Sequence, residues 1–183
     1  MEEAFAEHQS AVEAARREIA LLERIADRIS ECFAGGGRLY LFGNGGSAAD
    51  AQHIAAELVG RFKKNRRALA AVALTTDTST LTAISNDLAF EQVFSRQIEA
   101  LVTDRDIVWA LSVSGRSPNV LRAVEVARQL GAFVIGFTGR NGDALAERCD
   151  LCFRADHTQS DRVQEIHQLA YHQVCEAVES RFA

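Results

Sequence analysis

The sequence predicts an α/β fold, namely a three-layer sandwich around a five-stranded parallel sheet, preceded by a long N-terminal helix. Three observations favour this fold. Short apolar runs alternate along the chain with segments of helical periodicity. The apolar runs are continuous, which is typical of parallel strands that are covered on both faces. Glycine clusters separate the runs from the helical segments, and right-handed crossovers would then place helices on both sides of one sheet.

Length and composition indicate one domain spanning residues 1–183. The chain is 48% hydrophobic and 25% charged, which suffices for a sizeable core. Lys and Arg total 20 against 25 Asp and Glu, and the net charge of −5 disfavours nucleic acids and anionic membranes as partners. No apolar run approaches the ~20 residues of a membrane-spanning helix, and the first residues are acidic where an export signal would be basic. We therefore expect a cytoplasmic protein.

Residues 1–34 are predicted to form a helical extension, because apolar residues recur in two series with a period of seven from residue 2 onward. The two series are Phe5, Val12, Ile19, Ala26 and Phe33, and Ala15, Leu22 and Ile29. Such a seam packs against another helix. The last helix of the chain and further copies of this extension in an oligomer are the expected partners. His8 also falls on the seam and is expected to weaken it at that end.

The remaining elements follow in βα order. The apolar runs predict strands at 38–42, 69–74, 106–112, 133–138 and 151–154. The periodic segments predict helices at 47–59, 79–85, 91–102, 117–130 and 159–179. In parallel sheets of this kind, ligands collect beyond the carboxyl ends of the strands near the topological switch point. Candidate site residues are therefore sought at the ends of the strands.

The first predicted strand runs into a glycine turn, residues 43–50. Small residues let the backbone approach a ligand closely, and Ser47 is expected to cap the following helix. The turn matches neither a Walker loop nor a GxGxxG fingerprint, so nucleotide binding is not indicated. A tight turn without a ligand is the alternative interpretation.

The third predicted strand runs into a serine loop, residues 112–118. Ser117 lies at the N-cap position of the next helix, and Pro118 lies at its first position, where a missing N–H costs nothing. The hydroxyls of Ser112, Ser114 and Ser117 beside a helix N-terminus suit a phosphate monoester that is bound without metal. The alternative is an ordinary serine-capped turn.

Two predicted helices carry polar side chains at intervals of four residues, which places them on one face of each helix. His53 and Glu57 are four residues apart, which places them on one helix face about 6 Å apart along the axis. In the last helix, Gln164, Gln168 and His172 form a polar stripe on an otherwise apolar helix. The stripe is either a solvated face or the wall of a cleft.

Four cysteines occur, at positions 32, 149, 152 and 175, and we expect reduced thiols. Cys149 and Cys152 have CxxC spacing, but no second pair completes a zinc site. They are interpreted as two small buried residues, with a redox or metal role as the alternative.

With these segments in view, the chain resembles the sedoheptulose-7-phosphate isomerases (phosphoheptose isomerases) of the SIS, or sugar isomerase, domain superfamily. The resemblance covers nearly the whole chain, with its segments in order. The matching stretches are residues 43–53 with Ala56 and Glu57, 60–62, 81–87, Ser114, Gly115, Ser117, Asn119 and Val120, and 161–167 with His172.

The resemblance implies an aldose–ketose isomerase that converts sedoheptulose 7-phosphate to D-glycero-D-manno-heptose 7-phosphate through an enediol, in the synthesis of bacterial surface heptose such as that of lipopolysaccharide. It implies a homotetramer with active sites between subunits. Glu57 resembles the base that moves a proton between C1 and C2, and His172 resembles the acid/base that serves the sugar oxygens. Some members hold zinc, so one zinc ion per subunit is expected on residues His53, Glu57, Gln164 and His172.

The implied substrate site extends over both loops and three helices. Ser112, Ser114 and Ser117 resemble the phosphate cradle. The other implied substrate contacts are Asn44, Gly45, Gly46, Ser47, His53, Asn86, Asp87, Val113 and Gln164.

Three positions leave details of this site open. Val113 stands where the family commonly has a hydroxyl residue, which removes one possible phosphate donor. Arg116 stands where a small polar residue is expected and could supply charge to the phosphate instead. Arg61 is interpreted equally as a site residue or as a residue that pairs across an interface.

Other SIS proteins give alternative functions. The DnaA initiator-associating protein is a non-catalytic tetramer of this fold, but it lacks the glutamate and histidine that match Glu57 and His172. Sugar-phosphate-sensing SIS domains are usually attached to DNA-binding or transferase domains, for which 183 residues leave no room. An isomerase that acts on a different phosphosugar stays open, because the sequence does not measure sugar length.

Overall fold

The computed structural model describes all 183 residues and contains one five-stranded parallel sheet, as predicted. The strand order across the sheet is β2-β1-β3-β4-β5. The strands are β1 Leu39–Gly43, β2 Ala71–Ala73, β3 Ile107–Ser112, β4 Phe133–Gly139 and β5 Leu151–Ala155. The chain moves outward from β1 to β2 and then crosses back to β3, so the switch point lies between β1 and β3. The glycine turn and the serine loop follow these two strands.

Eight α-helices cover the sheet. They are α1 Glu2–Ala15, α2 Ile19–Ala34, α3 Gly46–Val59, α4 Thr78–Asp87, α5 Ser95–Leu101, α6 Pro118–Gln129, α7 Asp143–Ala146 and α8 Ser160–Ser180. The predicted helices are all present within a few residues of their expected bounds. Helix α7 was not predicted, because four residues are too few to show a helical period.

The N-terminal helical region is interrupted by a 3-10 turn at Arg16–Glu18. A 3-10 turn has about 3.0 residues per turn instead of 3.6, so it rotates the apolar seam as the chain passes through it. Phe5 is 73% exposed and Ile19 is 51% exposed, whereas Ala11 and Ile25 are buried. The prediction of one continuous apolar seam with a period of seven is therefore wrong at Phe5 and Ile19, which are not buried in it.

The predicted packing of the N-terminal helices on the last helix is confirmed. Leu22 and Ile29 of α2 share a core with Val174 of α8. The apolar seam is interrupted at His8, as expected, and Nδ1 of His8 lies 2.7 Å from Oε2 of Glu165 on α8. A polar contact thus replaces an apolar one near the start of the chain.

The cysteine interpretation holds in part, because Cys149 and Cys152 are partly buried and not fully buried as expected. All four cysteines are free thiols. The sulfurs of Cys149 and Cys152 pack around Gly136, where a side chain would collide with them. A hydrogen bond with Cys152 and burial raise the pKa of the Cys149 thiol. Because the thiolate is the reactive form, this environment disfavours a redox role.

None of the helices combines the length and the apolar character that crossing a bilayer requires.

Candidate active site

The glycine turn and the serine loop meet at the switch point between β1 and β3. Gly43 pairs with Leu111 in the sheet, and a Cβ atom on Gly43 would lie 2.6 Å from the carbonyl oxygen of Leu111. The side-chain amides of Asn44 and Asn119 exchange two hydrogen bonds of 2.9 Å each. This reciprocal pair fastens the glycine turn to the start of α6. Asn119 is not among the predicted site residues, although it lies in a matching stretch.

The glycine turn places backbone, and not a capping side chain, at the start of α3. Gly45 is the N-cap residue, with φ +57°, a conformation that glycine adopts without strain. Ser47 was expected to cap this helix, and that expectation is wrong. Because Gly45 takes the N-cap position, Ser47 falls inside α3 and is buried.

The serine loop keeps its hydroxyl groups available. Ser117 is the N-cap residue of α6 and Pro118 is its first residue, as predicted. The Ser117 side chain makes no capping hydrogen bond, and its Oγ lies 3.2 Å from Oγ of Ser112. Ser114 is exposed, and its Oγ accepts a hydrogen bond from the backbone N–H of Arg116. These hydroxyls can therefore turn toward a ligand without loss of a helix cap.

A cavity of about 330 Å³ lies between the two loops and the start of α8. The first residues or N-caps of α3, α6 and α8 all reach it. Its lining comprises Asn44, Gly45, Gly46, Ser47, Leu111, Ser112, Val113, Ser114, Ser117, Ser160 and Gln164. The lining contains no Lys or Arg. Three helix N-termini nevertheless give it a positive potential, and this combination suits a phosphate group.

A second group of side chains lies further along α3 and α8. Nε2 of His53 lies 3.0 Å from Oε1 of Glu57 and 3.5 Å from Nε2 of His172. We call His53, Glu57 and His172 the His–Glu–His cluster. One chain assembles this cluster, so a second copy is not needed to bring Glu57 and His172 together.

Gln164 lies at the cavity and not in the His–Glu–His cluster. Its side-chain amide packs against Gly46, where a Cβ atom would lie 2.6 Å from it. Eight residues separate Gln164 from His172, which is about 12 Å of helix. Gln168, between them, is exposed. The polar stripe of α8 is thus a cleft wall at both ends and a solvated face in the middle.

The His172 ring is partly shielded from solvent. Phe62 stacks on it, with 5.4 Å between ring centroids and 27° between planes. Burial and the neighbouring His53 lower the pKa of His172, against the opposing effect of Glu57. A lowered pKa keeps the imidazole neutral at pH 7 and able to accept a proton.

The loop that carries Phe62 is anchored by Glu179 of α8. The Glu179 carboxylate accepts hydrogen bonds from the backbone N–H groups of Phe62, Lys63 and Lys64, at 2.8, 2.6 and 2.9 Å. Arg66 lies beside this carboxylate, and its guanidinium donates to the carbonyl oxygen of Glu57 at 2.7 Å. The same anchor therefore supports Phe62 and the end of α3. No local sequence pattern indicates this anchor, because Glu179 lies more than 110 residues from its partners.

Other sequence candidates stay outside the cavity in one chain. Asn86 and Asp87 are exposed at the end of α4, where the amide of Asn86 donates to the Asp87 carboxylate. Arg61 is exposed and donates to Asn65, and Arg116 is exposed outside the lining. Val113 does line the cavity, and its carbonyl oxygen accepts from the N–H of Gly139.

Comparisons with known proteins agree with the fold. A family model described as the SIS domain matches residues 3–139. The chain is 50% identical over 179 residues to the phosphoheptose isomerase of Bradyrhizobium sp. (strain ORS 278), with 96% of this chain and 90% of that protein covered. It is 44% identical over 182 residues to phosphoheptose isomerase 1 of Campylobacter jejuni, with 100% and 98% covered.

Solved structures give the same result. The structure of phosphoheptose isomerase GmhA from Neisseria gonorrhoeae superposes with a TM-score of 0.92 at 41% identity, over 97% of this chain and 96% of that one. The phosphoheptose isomerase from Francisella tularensis superposes with a TM-score of 0.89 at 33% identity, over 98% and 97%.

Proposed function

The chain belongs to the phosphoheptose isomerases of the SIS domain family, and on that basis we propose that it interconverts sedoheptulose 7-phosphate and D-glycero-D-manno-heptose 7-phosphate, in bacterial heptose synthesis. One observation carries the proposal for its residues. The cavity and the His–Glu–His cluster lie at different heights along the same two helices, α3 and α8. One substrate molecule could therefore contact both.

The separation of the two levels suits a seven-carbon sugar. Gly46 lies at the cavity and His53 lies seven residues on, which is about 10.5 Å of helix axis. An extended chain advances about 1.2 Å per bond, so the eight bonds from phosphorus to C1 of a heptose 7-phosphate span about 10 Å. With its phosphate in the cavity, such a sugar would present C1 and C2 to the His–Glu–His cluster.

Glu57 is proposed as the base for the carbon-bound proton. In the ketose-to-aldose direction, its carboxylate takes a proton from C1, and the electron pair forms the C1–C2 double bond of the enediol. Glu57 then returns the proton to C2, and C1 becomes the aldehyde carbon. Glu57 is only partly exposed, with a side-chain exposure of 21%.

His172 is proposed to move the oxygen-bound proton. As the enediol forms and collapses, the proton on O1 must leave and O2 must gain one. A neutral imidazole accepts the first and donates the second, and the lowered pKa of His172 favours the neutral form. Phe62, stacked on its ring, restricts the orientation of the imidazole.

We also propose that one zinc ion per chain is held by His53, Glu57 and His172. Nε2 of His53 lies 3.0 Å from Oε1 of Glu57 and 3.5 Å from Nε2 of His172, and zinc accepts both imidazole nitrogens and carboxylate oxygens as ligands. No group of three His, Cys, Asp or Glu side chains is arranged to hold a metal ion, so binding would require these side chains to rearrange. When bound, zinc would polarise the substrate carbonyl as a Lewis acid. Gln164, the fourth ligand expected from the family, lies about 12 Å along α8 and does not join the three.

Assembly into a homotetramer with sites between subunits is part of the proposal, with the protein in the cytoplasm. Phe5 and Ile19 expose large apolar side chains on the 1–34 extension, which supports its use in packing between copies. Asn86 and Asp87 lie outside the cavity of their own chain, so they would serve the site of a neighbouring copy.

The activity is tested on the purified protein with sedoheptulose 7-phosphate, and aldose formation is measured. Five- and six-carbon ketose phosphates serve as controls for sugar length, and a run after zinc chelation tests the metal. The expected result is turnover of the seven-carbon substrate and at least tenfold less turnover of the shorter ones. A protein that is silent on all three contradicts the isomerase proposal and favours a non-catalytic SIS protein.

Substitution of Ser117 by Ala tests the phosphate cavity. A hydrogen bond to a charged group contributes about 1.5–3 kcal/mol, so Ser117→Ala should raise KM roughly tenfold or more with little change in kcat. Stability should change little, because this side chain makes no capping bond. Ser10→Ala, on the exposed face of α1, is the control. An unchanged KM would mean that the Ser117 hydroxyl does not contact the phosphate.

A further inference from the structure

His167 of α8 is a fully buried histidine to which the proposed reaction assigns no role. Its Nε2 lies 3.1 Å from the carbonyl oxygen of Thr138, near the carboxyl end of β4. The side chain is 0% exposed, and its ring packs against the rings of Phe137 and Phe153, with centroids 5.4 and 6.3 Å away. The second ring nitrogen, Nδ1, is buried without a hydrogen-bond partner.

These surroundings determine which nitrogen of His167 carries the hydrogen. A carbonyl oxygen can only accept a hydrogen bond, so Nε2 donates to Thr138. Burial lowers the pKa of His167 to about 4, against the effect of this bond, so the ring is neutral at pH 7. The unpartnered Nδ1 costs stability, because a buried acceptor has lost its hydration. An apolar side chain would fill the same space without that cost, so packing alone does not account for a histidine here.

The hydrogen bond of His167 ends on a peptide group that also binds the serine loop. Thr138 pairs in register with Ser112 in the sheet. The carbonyl group of Thr138 and the N–H of Gly139 belong to one peptide group. Its carbonyl oxygen accepts from His167, and its N–H donates to the carbonyl oxygen of Val113 at 2.9 Å. Both bonds polarise the same peptide group, so each strengthens the other.

The turn of α8 that carries His167 also forms one wall of the cavity. Gln164 lies three residues before His167, and its amide packs on Gly46 so closely that a Cβ atom there would lie 2.6 Å from it. Val163 packs on Gly139, where a Cβ atom would lie 3.1 Å from Cγ2 of the valine. Such close contacts leave this turn little room to shift. His167 therefore joins the α8 wall of the cavity to the serine loop through a single peptide group.

We propose that His167 is a positioning residue for phosphate binding, because its hydrogen bond to the 138–139 peptide group fixes the start of α8 relative to the serine loop. The inference rests on the proposed function of the cavity as the phosphate site. The other end of α8 is held separately, by the bonds of Glu179 to the loop that carries Phe62. Loss of the His167 bond should therefore weaken phosphate binding and largely spare the proton transfers.

Two substitutions separate the hydrogen bond from the volume of the side chain. Glutamine places an N–H donor about as far from the backbone as Nε2 of histidine, and methionine has nearly the same shape without a donor. His167→Met should raise KM for sedoheptulose 7-phosphate roughly tenfold, the factor that one net hydrogen bond corresponds to, with little change in kcat. His167→Gln should restore most of the affinity.

Inorganic phosphate gives a readout that does not require turnover. Its dissociation constant, measured by isothermal titration calorimetry, should rise in His167→Met by the same factor as KM. Thermal unfolding checks that each variant folds. Tyr40→Phe is the control, because it also removes a hydrogen bond from a buried side chain to a main-chain carbonyl oxygen, that of Leu101, outside the cavity lining. Its phosphate affinity should equal that of the parent.

A spectroscopic measurement on the parent decides the inference if His167→Met does not fold. The chain has five histidines, so the imidazole region of a ¹H–¹⁵N spectrum is simple. The Nε2–H of His167 should appear as a slowly exchanging signal that is absent from His167→Gln. Inorganic phosphate should shift this signal, because the acceptor peptide group is also bonded to the serine loop. A signal that does not respond to bound phosphate contradicts the inference.

Three further results would overturn the inference, and they differ in what else they overturn. Equal phosphate affinity in the parent and in folded His167→Met overturns it alone. An equal loss of affinity in His167→Met and His167→Gln also overturns it alone, since the donor would then not matter. Failure of the parent to bind inorganic phosphate overturns the phosphate cavity as well. A parent that binds phosphate but does not turn over sedoheptulose 7-phosphate contradicts the isomerase proposal, and the phosphate affinities of the variants still decide the role of His167.

Discussion

Glu57→Gln should lower kcat by about 10²–10⁴-fold, because a positioned base for proton transfer contributes that much to the rate. Glutamine has nearly the same shape and can still accept from His53, but it cannot take a proton from C1. KM should change much less than kcat, since the cavity that would bind the phosphate lies two or more turns away along α3. Steady-state turnover of sedoheptulose 7-phosphate measures the effect.

Hydrogen exchange at carbon strengthens this test. In D₂O, the parent should move solvent deuterium into C1 of the substrate or C2 of the product, and Glu57→Gln should do so at a correspondingly lower rate. His172→Gln should also lower kcat, because glutamine cannot move the proton between O1 and O2. Glu99→Gln, on the exposed face of α5, makes the same change away from the site and should match the parent. Full turnover by both Glu57→Gln and His172→Gln would refute these roles.

Glu179→Ala should lower the free energy of unfolding by about 3–5 kcal/mol, the usual cost of removing one partner of a buried ion pair. The Glu179 side chain is 1% exposed and that of Arg66 is 0% exposed. The substitution leaves the guanidinium without its counter-charge and three backbone N–H groups without their acceptor. Urea unfolding measures the change. Activity should fall too, because Phe62 and the end of α3 lose their common anchor.

Glu176 provides the matched control for Glu179. It lies on the same helix, and its carboxylate pairs with Nζ of Lys63 at 2.7 Å, but its side chain is 41% exposed. Glu176→Ala should therefore cost less than about 1 kcal/mol. Equal losses in the two variants would mean that burial does not set the strength of the Glu179 anchor.

The contribution of Glu179 should also depend on pH. Burial alone would raise the pKa of this carboxyl, but the N–H groups of Lys63, Phe62 and Lys64 and the charge of Arg66 outweigh burial, and the pKa is lowered. A lowered folded-state pKa means that the stabilisation is fully present above the ordinary value of 4.5 and is lost as the pH falls through the folded-state pKa. The difference between parent and Glu179→Ala should therefore shrink below about pH 4.5.

Local patterns in the sequence predicted those features that local chemistry decides. Continuous apolar runs located all five strands, and the spacing of His53 and Glu57 placed both side chains on one face of α3. The resemblance to a family supplied His172, whose contact with His53 spans 119 positions. Without it, the polar stripe on α8 left two interpretations of equal weight.

The remaining features depend on long-range packing. The carboxylate of Glu179 reaches backbone N–H groups that carry no side-chain signature in the sequence, and Tyr171 reads as one more core residue until its hydroxyl is seen beside Asp50. The 3-10 turn at 16–18 changes which side of the N-terminal region is apolar, although no Gly or Pro marks the break.

The cavity that would bind the phosphate and the His–Glu–His cluster lie about two turns apart on both α3 and α8, and they share no side chain. Substrate binding and catalysis would therefore depend on different side chains of the same two helices. Loss of the Glu57 and His172 side chains would leave a protein that still binds a phosphorylated sugar but does not isomerise it. Their return would restore the enzyme. A protein of this architecture could thus gain or lose catalysis in evolution while it keeps its ligand-binding cavity.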